Sequence, residues 1–501
     1  MGLAWHTPGS VLCSLLGWAA VYALVQATFC PGASFRSLYA GGVLQNLIGF
    51  HWLAGTAEEF GGFSAPLAVL VLVLFALVSG LQQVLYFFVF KRLPTFLDRF
   101  ALRAAFAWVT IEFLAPRIFP WYVGHTQIEF SWFAQAADLC GVLLLSFVMI
   151  SATESAWRFW SSSGTLAWAR ARCLLPLLIL SLCIFYGRGR WNAVNPHAGT
   201  PLHVAVVQAN ISTEDKGEIK LFKENRERYQ SLSQELNETP ALVIWPETVI
   251  QDLIYERVGF AVNDSRIPHF HGKHLLSGAL TFRSRTEVFN SALAVFADSR
   301  VAPPYHKQIL MPFGEYMPLA STFPWIQDLN PIAAGLTAGE SVGLMTFPPL
   351  LPLTAREFRL APLICYEDIV PSLSRAAVQQ GAELLVNLTN DAWFGPTVAA
   401  RQHHLIASFR AIENRRYLVR STNSGLTAVV NPRGETVAEL PEFSEGIIET
   451  VVHLRQDSSP YTRALGDYPW LVFSLLSCFS VALAFIGGQA RPQVVYSPPP
   501  Q

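Results

Sequence analysis

Six long apolar segments fill most of the first 190 residues, at about 10–29, 38–54, 64–90, 100–118, 132–153 and 166–186. A helix needs roughly 20 predominantly apolar residues to cross the hydrocarbon core of a bilayer. Inside that core every backbone N–H and C=O must be satisfied within the protein, which leaves helices as the natural form for such segments. This part of the chain is therefore expected to be a membrane helix bundle. The segment at 38–54 is the weakest, because Gln45 and Asn46 interrupt it. The first segment reads as a span and not as a cleavable leader, since it is long, unbroken and followed by no clear small-residue cleavage site. Composition agrees: 52% of the 501 residues are hydrophobic and only 14% charged, against about 25% charged in soluble domains. A net charge of −1 argues against nucleic acid as a partner, because phosphate binding needs an excess of clustered Lys and Arg.

Loop charges give the expected orientation. Lys91, Arg92, Arg99 and Arg103 lie between the third and fourth segments, and Arg158, Arg170 and Arg172 between the fifth and sixth. The positive-inside bias places both loops in the cytoplasm. The loop carrying Glu58 and Glu59, the 119–130 loop and everything after the sixth segment then face outward. Arg188 and Arg190 oppose this locally, but a long following domain translocates regardless of such charges. Glu112 and Arg117, costly inside a membrane, are expected to be a snorkelling or mutually paired couple at a helix end, with a substrate role as the alternative. Trp121, Tyr122 and Trp132 fit an interfacial aromatic belt. Residues 468–486 form one more apolar segment that would return the chain to the cytoplasm, where Arg491 follows. The proline-rich tail is expected to be disordered. The resulting division is 1–190 as transmembrane helices, six by this count, 195–462 as a separate extracytoplasmic domain, 468–487 as a C-terminal span and 488–501 as the tail.

Between 195 and 462 the composition is that of a soluble α/β domain. HVAVVQAN (203–210), LVIWPE (242–247), HLLSGAL (274–280) and NSALAVFA (290–297) read as strands. So do RLAPLIC (359–365), ELLVNLTND (383–391), LVRSTNSG (418–425), LTAVVNPRGE (426–435) and GIIETVVHL (446–454). Helices are expected over 219–238 and near 398–415, and Pro371 suits a first helical turn. Such a mixture points to a layered α/β or α+β sandwich.

Chemistry is concentrated at three strand ends or adjoining loops of this domain. Of seven cysteines, only Cys365 lies in the polar region, so no disulfide can form within it. The others lie in or beside apolar segments, and no zinc-like spacing occurs. Cys365 follows a buried-strand pattern and precedes a helix start, where N–H dipoles favour a thiolate. The alternative is a buried structural cysteine. Glu247 ends the strand LVIW in WPET, and Lys307 sits in YHKQILMPFGEYMP (305–318). A thiol needs a base, and a desolvated carboxylate can serve. Attack on an acyl carbonyl creates an oxyanion that an ammonium stabilises. Alternatively, Glu247 caps a helix and Lys307 lies on the surface.

WPE, HK followed by PFGEY, and CYE, in this order, closely resemble the nitrilase or carbon–nitrogen hydrolase superfamily. With membrane segments on both sides, the chain resembles its membrane-bound branch, the apolipoprotein N-acyltransferases of bacterial inner membranes. NDAWFG (390–395), TNSGLTAVV (422–430) and PYTRALGDYPW (460–470) extend the likeness over most of the chain. The resemblance implies a multi-span α-helical bundle carrying an extracytoplasmic αββα sandwich, on the periplasmic side. It implies Glu247 as general base, Lys307 as oxyanion stabiliser and Cys365 as nucleophile. Glu315 and Glu367 match further glutamates of that site, and Tyr366 adjoins the nucleophile. Asn390, Trp393 and Phe394 would shape the cleft. The implied reaction is ping-pong: Cys365 takes an acyl chain from a phospholipid and passes it to the α-amino group of a diacylglyceryl-cysteine lipoprotein, the last step of lipoprotein maturation. No cofactor or metal is implied, and the protein is expected to be a monomer.

A lipid substrate fits physically, since about 0.8 kcal/mol per buried CH₂ keeps donor and acceptor in the bilayer. Phe313, Tyr316, Met317, Phe323, Trp325 and Ile326 read either as a lid entering the interface or as core. Two features depart from the family pattern: residues 212–220 lack its usual tryptophan, and six N-terminal segments are counted where seven are usual. The alternatives are an amidase or acyltransferase paralogue acting on another substrate, and a catalytically silent membrane scaffold.

Overall fold

A computed structural model describes residues 1–59, 61–161, 174–318, 320, 322–323, 325 and 335–486. The chain divides into two units. One comprises Met1–Ala57, Ser64–Ala193 and Arg463–Gln501, and the other Glu58–Phe63 with Val194–Thr462.

The first unit is helical. Among its described residues, three helices are long and apolar enough to cross a membrane: Val11–Phe29, Ala65–Arg92 and Tyr468–Ile486. A fourth crossing results if Ser131–Cys140 and Leu143–Ser161, bent by 118°, count as one broken span. Local chemistry shapes the other expected segments. The 38–54 segment is split between Phe35–Gly49 and Trp52–Glu59. There Asn46 satisfies itself on the Gly42 carbonyl, and Gln45 accepts a bond from Gln83. The 100–118 segment yields only the helix Arg103–Leu114, because Pro116 bars its continuation. The fifth breaks at Gly141, whose φ of 74° ends one helix before the next begins. The sixth is described from residue 174 as the helix Leu175–Ala193. Its start, with Arg170, Arg172 and Cys173, lies outside the described residues, as do Arg491 and the tail.

Polar residues of this unit also differ from expectation. Glu112 and Arg117 each serve the backbone instead of forming a direct pair: Glu112 accepts from the Val123 amide at 2.9 Å, and Arg117 donates to the Trp121 carbonyl. Trp121, expected at an interface, is buried edge-on against Trp5. Arg190 pairs with the buried Asp138 at 2.8 Å, so one of the two arginines opposing the charge bias is neutralised locally.

The second unit is an α/β sandwich, as the sequence pattern predicts. Its strands are β1 Thr200–Gln208, β2 Leu242–Ile244, β3 Ile250–Tyr255, β4 His274–Phe282, β5 Val288–Val295, β6 Tyr305–His306 and β7 Met345–Phe347. They continue as β8 Phe358–Ile364, β9 Leu384–Thr389, β10 Leu418–Thr422, β11 Ala428–Val430, β12 Thr436–Glu439 and β13 Gly446–Leu454. One sheet runs β13-β1-β2-β4-β5-β6, with β3 also on β4, and the other β12-β11-β10-β9-β8-β7. Parallel pairing at β1-β2-β4 and β8-β9-β10 aligns the ends of the strands that carry the chemistry. Alternation decides the two faces of each strand. Val204 and Val206 join Ile244, Leu360, Ile364 and Val386 in the core between the sheets. Ala205 and Val207 face outward, onto a second core where Tyr229 of the helix Phe222–Gln234 meets Trp245. The helices Pro371–Gln379 and Ala399–Asn414 pack on β8 and β10 respectively.

Candidate active site

β8 brings an unbroken apolar run to Ile364, and the chain then enters the short 3-10 turn Cys365–Ile369. Cys365 has φ +51°, a left-handed conformation that costs a non-glycine residue about 1–3 kcal/mol. The turn is held from two sides. Asn387 of β9 donates to the carbonyls of Leu363 and Cys365 at 3.1 and 2.9 Å. Glu367, fully buried, accepts from the Ile364 amide at 2.7 Å. The same carboxylate accepts from the Tyr305 hydroxyl at 2.9 Å and from the Gln308 and Ile309 amides at 2.7 and 3.2 Å. It thus ties the cysteine turn to the two residues that follow Lys307.

Glu247 leaves β2 after Trp245 and Pro246. Gly278 of β4 lies directly beneath it: a Cβ there would come within 2.4 Å of the Thr248 nitrogen and 2.5 Å of the Glu247 Cα. The backbone turns sharply at Thr248, φ +49°. Lys307 follows β6, its amide donating to the Asn290 carbonyl at 2.8 Å. Its ammonium is 1% exposed and lies 2.8 Å from Glu315 and 3.5 Å from Glu247. Asn290 closes the ring by donating to Glu247 Oε1 at 2.7 Å and Glu315 Oε1 at 2.8 Å. Glu315 also accepts from the Met311 amide at 2.8 Å. A buried ammonium is thus compensated by two carboxylates, with Glu247 Oε1 and both Glu315 oxygens engaged.

Charge and burial set the resting protonation. Burial alone would lower the Lys307 pKa, but Glu315, then Cys365 and Glu247, hold it well above the ordinary value. The lysine stays cationic. Burial raises the Cys365 thiol pKa well above its usual range, Glu247 adds to this, and Lys307 opposes it. The helix whose dipole was expected to favour a thiolate begins six residues later, at Pro371, and burial with Glu247 favours the protonated thiol. A nucleophilic role for this thiol would call for a base, and Glu247 is the carboxylate whose field acts most strongly on the sulfur.

Tyr366, the next residue on the same turn, is partly exposed. Asn390 is buried at the end of β9, directly after Thr389, whose side chain bonds the thiol. Trp393, exposed, and Phe394, partly buried, follow on the next turn, where Phe394 meets the His403 ring edge-on. Phe313 and Tyr316 are both exposed, as are Phe323 and Trp325, so the core alternative fits only the buried Met317. Ile326 lies outside the described residues. Sequence reasoning missed Asn290, Asn387 and Thr389, which were visible only as polar residues inside apolar strands. It also missed the buried network in which His403 lies 2.7 Å from Asp368 and 3.0 Å from Asp391, with Arg420 bonded to both carboxylates.

The carbon-nitrogen hydrolase family model matches residues 203–456, and that of the apolipoprotein N-acyltransferase N-terminal domain matches residues 1–153. The fold and the match over half the chain define a protein of the carbon–nitrogen hydrolase class. An apolipoprotein N-acyltransferase of Geobacter metallireducens is 29% identical over 494 residues, covering 94% of this chain and 90% of that protein. One of Bdellovibrio bacteriovorus is 30% identical over 489 residues, covering 88% and 84%. Among solved structures, Saccharomyces cerevisiae Nit3, a nitrilase-superfamily member, aligns over 52% of this chain and 92% of its own at TM-score 0.38 and 19% identity. The chain belongs to the apolipoprotein N-acyltransferase family.

Proposed function

We propose that this protein moves a fatty acyl chain from a phospholipid to the N-terminal α-amino group of a diacylglyceryl-cysteine lipoprotein, through a thioester on Cys365. The single observation that supports this best is the pairing of family membership with a buried carboxylate–ammonium pair acting on one partly exposed thiol. Glu247 takes the thiol proton as the sulfur attacks the ester carbonyl of the phospholipid. Lys307 faces the oxyanion that forms. The lysophospholipid oxygen leaves with the proton returned from Glu247. In the second half the lipoprotein amine attacks the thioester carbonyl, Glu247 accepts the amine proton, and the sulfur leaves and regains it. Glu315 holds Lys307 charged, and Glu367 sets the cysteine turn against the lysine strand. Asn390, Trp393, Phe394, Phe313 and Tyr316 line the approach for the acyl chain. The protein works as a monomer in the bacterial inner membrane, with its catalytic unit on the periplasmic side.

The test is mass spectrometry of the intact protein incubated with phosphatidylethanolamine alone. One acyl chain is expected on the peptide containing Cys365, and a diacylated lipopeptide with a free amine should discharge it as a triacylated product. An active preparation that transfers acyl chains with no adduct on this peptide, or a Cys365→Ser variant that still transfers them, would overturn the assignment.

A further inference from the structure

A second lysine reaches the Glu247 segment from a different element. Ser212 caps the short helix Thr213–Gly217, accepting from the Asp215 amide at 3.1 Å. This places Lys216 over the turn that leaves β2. Its Nζ donates to the Glu247 carbonyl at 3.1 Å and to the Thr248 hydroxyl at 3.3 Å. The Lys216 carbonyl in turn accepts from Gln251 at 2.6 Å, and Asn225 holds the Asp215 carbonyl at 3.0 Å. The segment beneath is the left-handed turn at Thr248, pressed against Gly278 with no room for a Cβ. A backbone in that conformation persists only where its surroundings over-determine it.

We propose that Lys216 is a positioning residue for Glu247, its ammonium clamping the backbone carbonyl and the following hydroxyl so that the carboxylate is presented to the Cys365 sulfur. This rests on Glu247 acting as the base in the proposed function. An ammonium carries three donors, and a charged donor bonds a carbonyl more strongly than a neutral amine does. Burial lowers the Lys216 pKa to about 8, with the Glu247 carboxylate opposing as the charged group whose field reaches it. Gln251 and Thr248, its other neighbours here, do not titrate in this range. The clamp therefore loosens as pH rises through about 8.

The experiment follows acylation of Cys365 in the full-length protein by phosphatidylethanolamine in mixed micelles, from about pH 6 to about pH 10, with rates read by mass spectrometry. The parent rate should carry a descending limb with its midpoint at about 8. Lys216→Met should be slower by about 10- to 100-fold, the scale of a small misplacement of a reacting group. Lys216→Arg should recover most of the rate and lose the limb, because a guanidinium stays charged throughout. Acylation of Lys216→Met within about twofold of the parent, or a limb that persists in Lys216→Arg, would overturn the proposal. Glu247→Gln separates the two ideas. If it acylates at the parent rate, the base assignment fails; if it is silent while Lys216→Met is unaffected, the clamp alone fails.

Discussion

Replacing Glu367 by glutamine changes one oxygen for one NH₂ and leaves the shape of the site intact. In the parent, one oxygen accepts from the Ile364 amide and the Tyr305 hydroxyl, and the other from the Gln308 and Ile309 amides. A glutamine NH₂ has to face one of these pairs. Towards Ile364 it strands one backbone donor, since the tyrosine hydroxyl can turn and accept; towards Gln308 and Ile309 it strands two. The first arrangement is cheaper, and a buried donor without an acceptor costs about 1–3 kcal/mol. Relief of that cost moves the Cys365 turn away from the Lys307 strand, so acylation should fall about 5- to 150-fold. Stability should respond differently. Burial raises the Glu367 pKa, against the amides that bond it. An acid whose pKa is raised on folding stabilises below its unfolded value and loses that contribution as pH rises, so at neutral pH the carboxylate carries a desolvation penalty that glutamine lacks. Gain and loss offset, and the midpoint of thermal unfolding in detergent should move by no more than about 4 °C. The assay is the acyl-adduct time course on the Cys365 peptide, run beside that melt. A Glu367→Gln protein acylating at the parent rate would refute the stapling role. A rate that falls only as far as the folded fraction falls would refute it equally.

Lys307→Met leaves Glu247 and Glu315 without their shared cation, so stability should drop by about 3–5 kcal/mol. Adding Glu315→Gln should recover much of this in thermal melts while acylation stays absent, a non-additivity expected of groups in contact. Burial would lower the His403 pKa, yet Asp368 and Asp391 carry it up to about 9 against Arg420. Its contribution to stability should be complete below about pH 6.5 and lost as pH rises through about 9, and His403→Gln should flatten the melting temperature across that window. Gly278→Ala forces a methyl group into the Glu247 backbone, and both acylation and thermal stability should fall; an unaffected rate would show that the base does not depend on this contact.

The sandwich was legible because its strands carry continuous apolar runs bounded by turn residues. β13 falls on the residues the alternation predicts, 446–454. β3 and β7 escaped notice for a physical reason. IQDLIY places Gln and Asp inside the strand, and three-residue β7 is fixed by pairing with β8 instead of by its own pattern. The carriers of Glu247, Lys307 and Cys365 were legible as apolar sequence ending in a reactive group. Their supports were not. Asn290 sits within reach of Glu247 and Glu315 only because β5 pairs with β4 and β6, a long-range fact with no local signature. In the membrane segments hydropathy measured composition but not continuity, so it missed the breaks at Gly141 and before Pro116.

Glu247 and Lys307 follow strands of one sheet, while Cys365 follows a strand of the other. On the proposed roles, neither sheet alone carries the whole triad. A chain caught part-way through folding, with one layer formed and the other loose, has a sulfur without a base and a base without a sulfur. On the proposed roles, acyl transfer requires both sheets in place, and a copy with one layer loose would leave the lipids around it untouched.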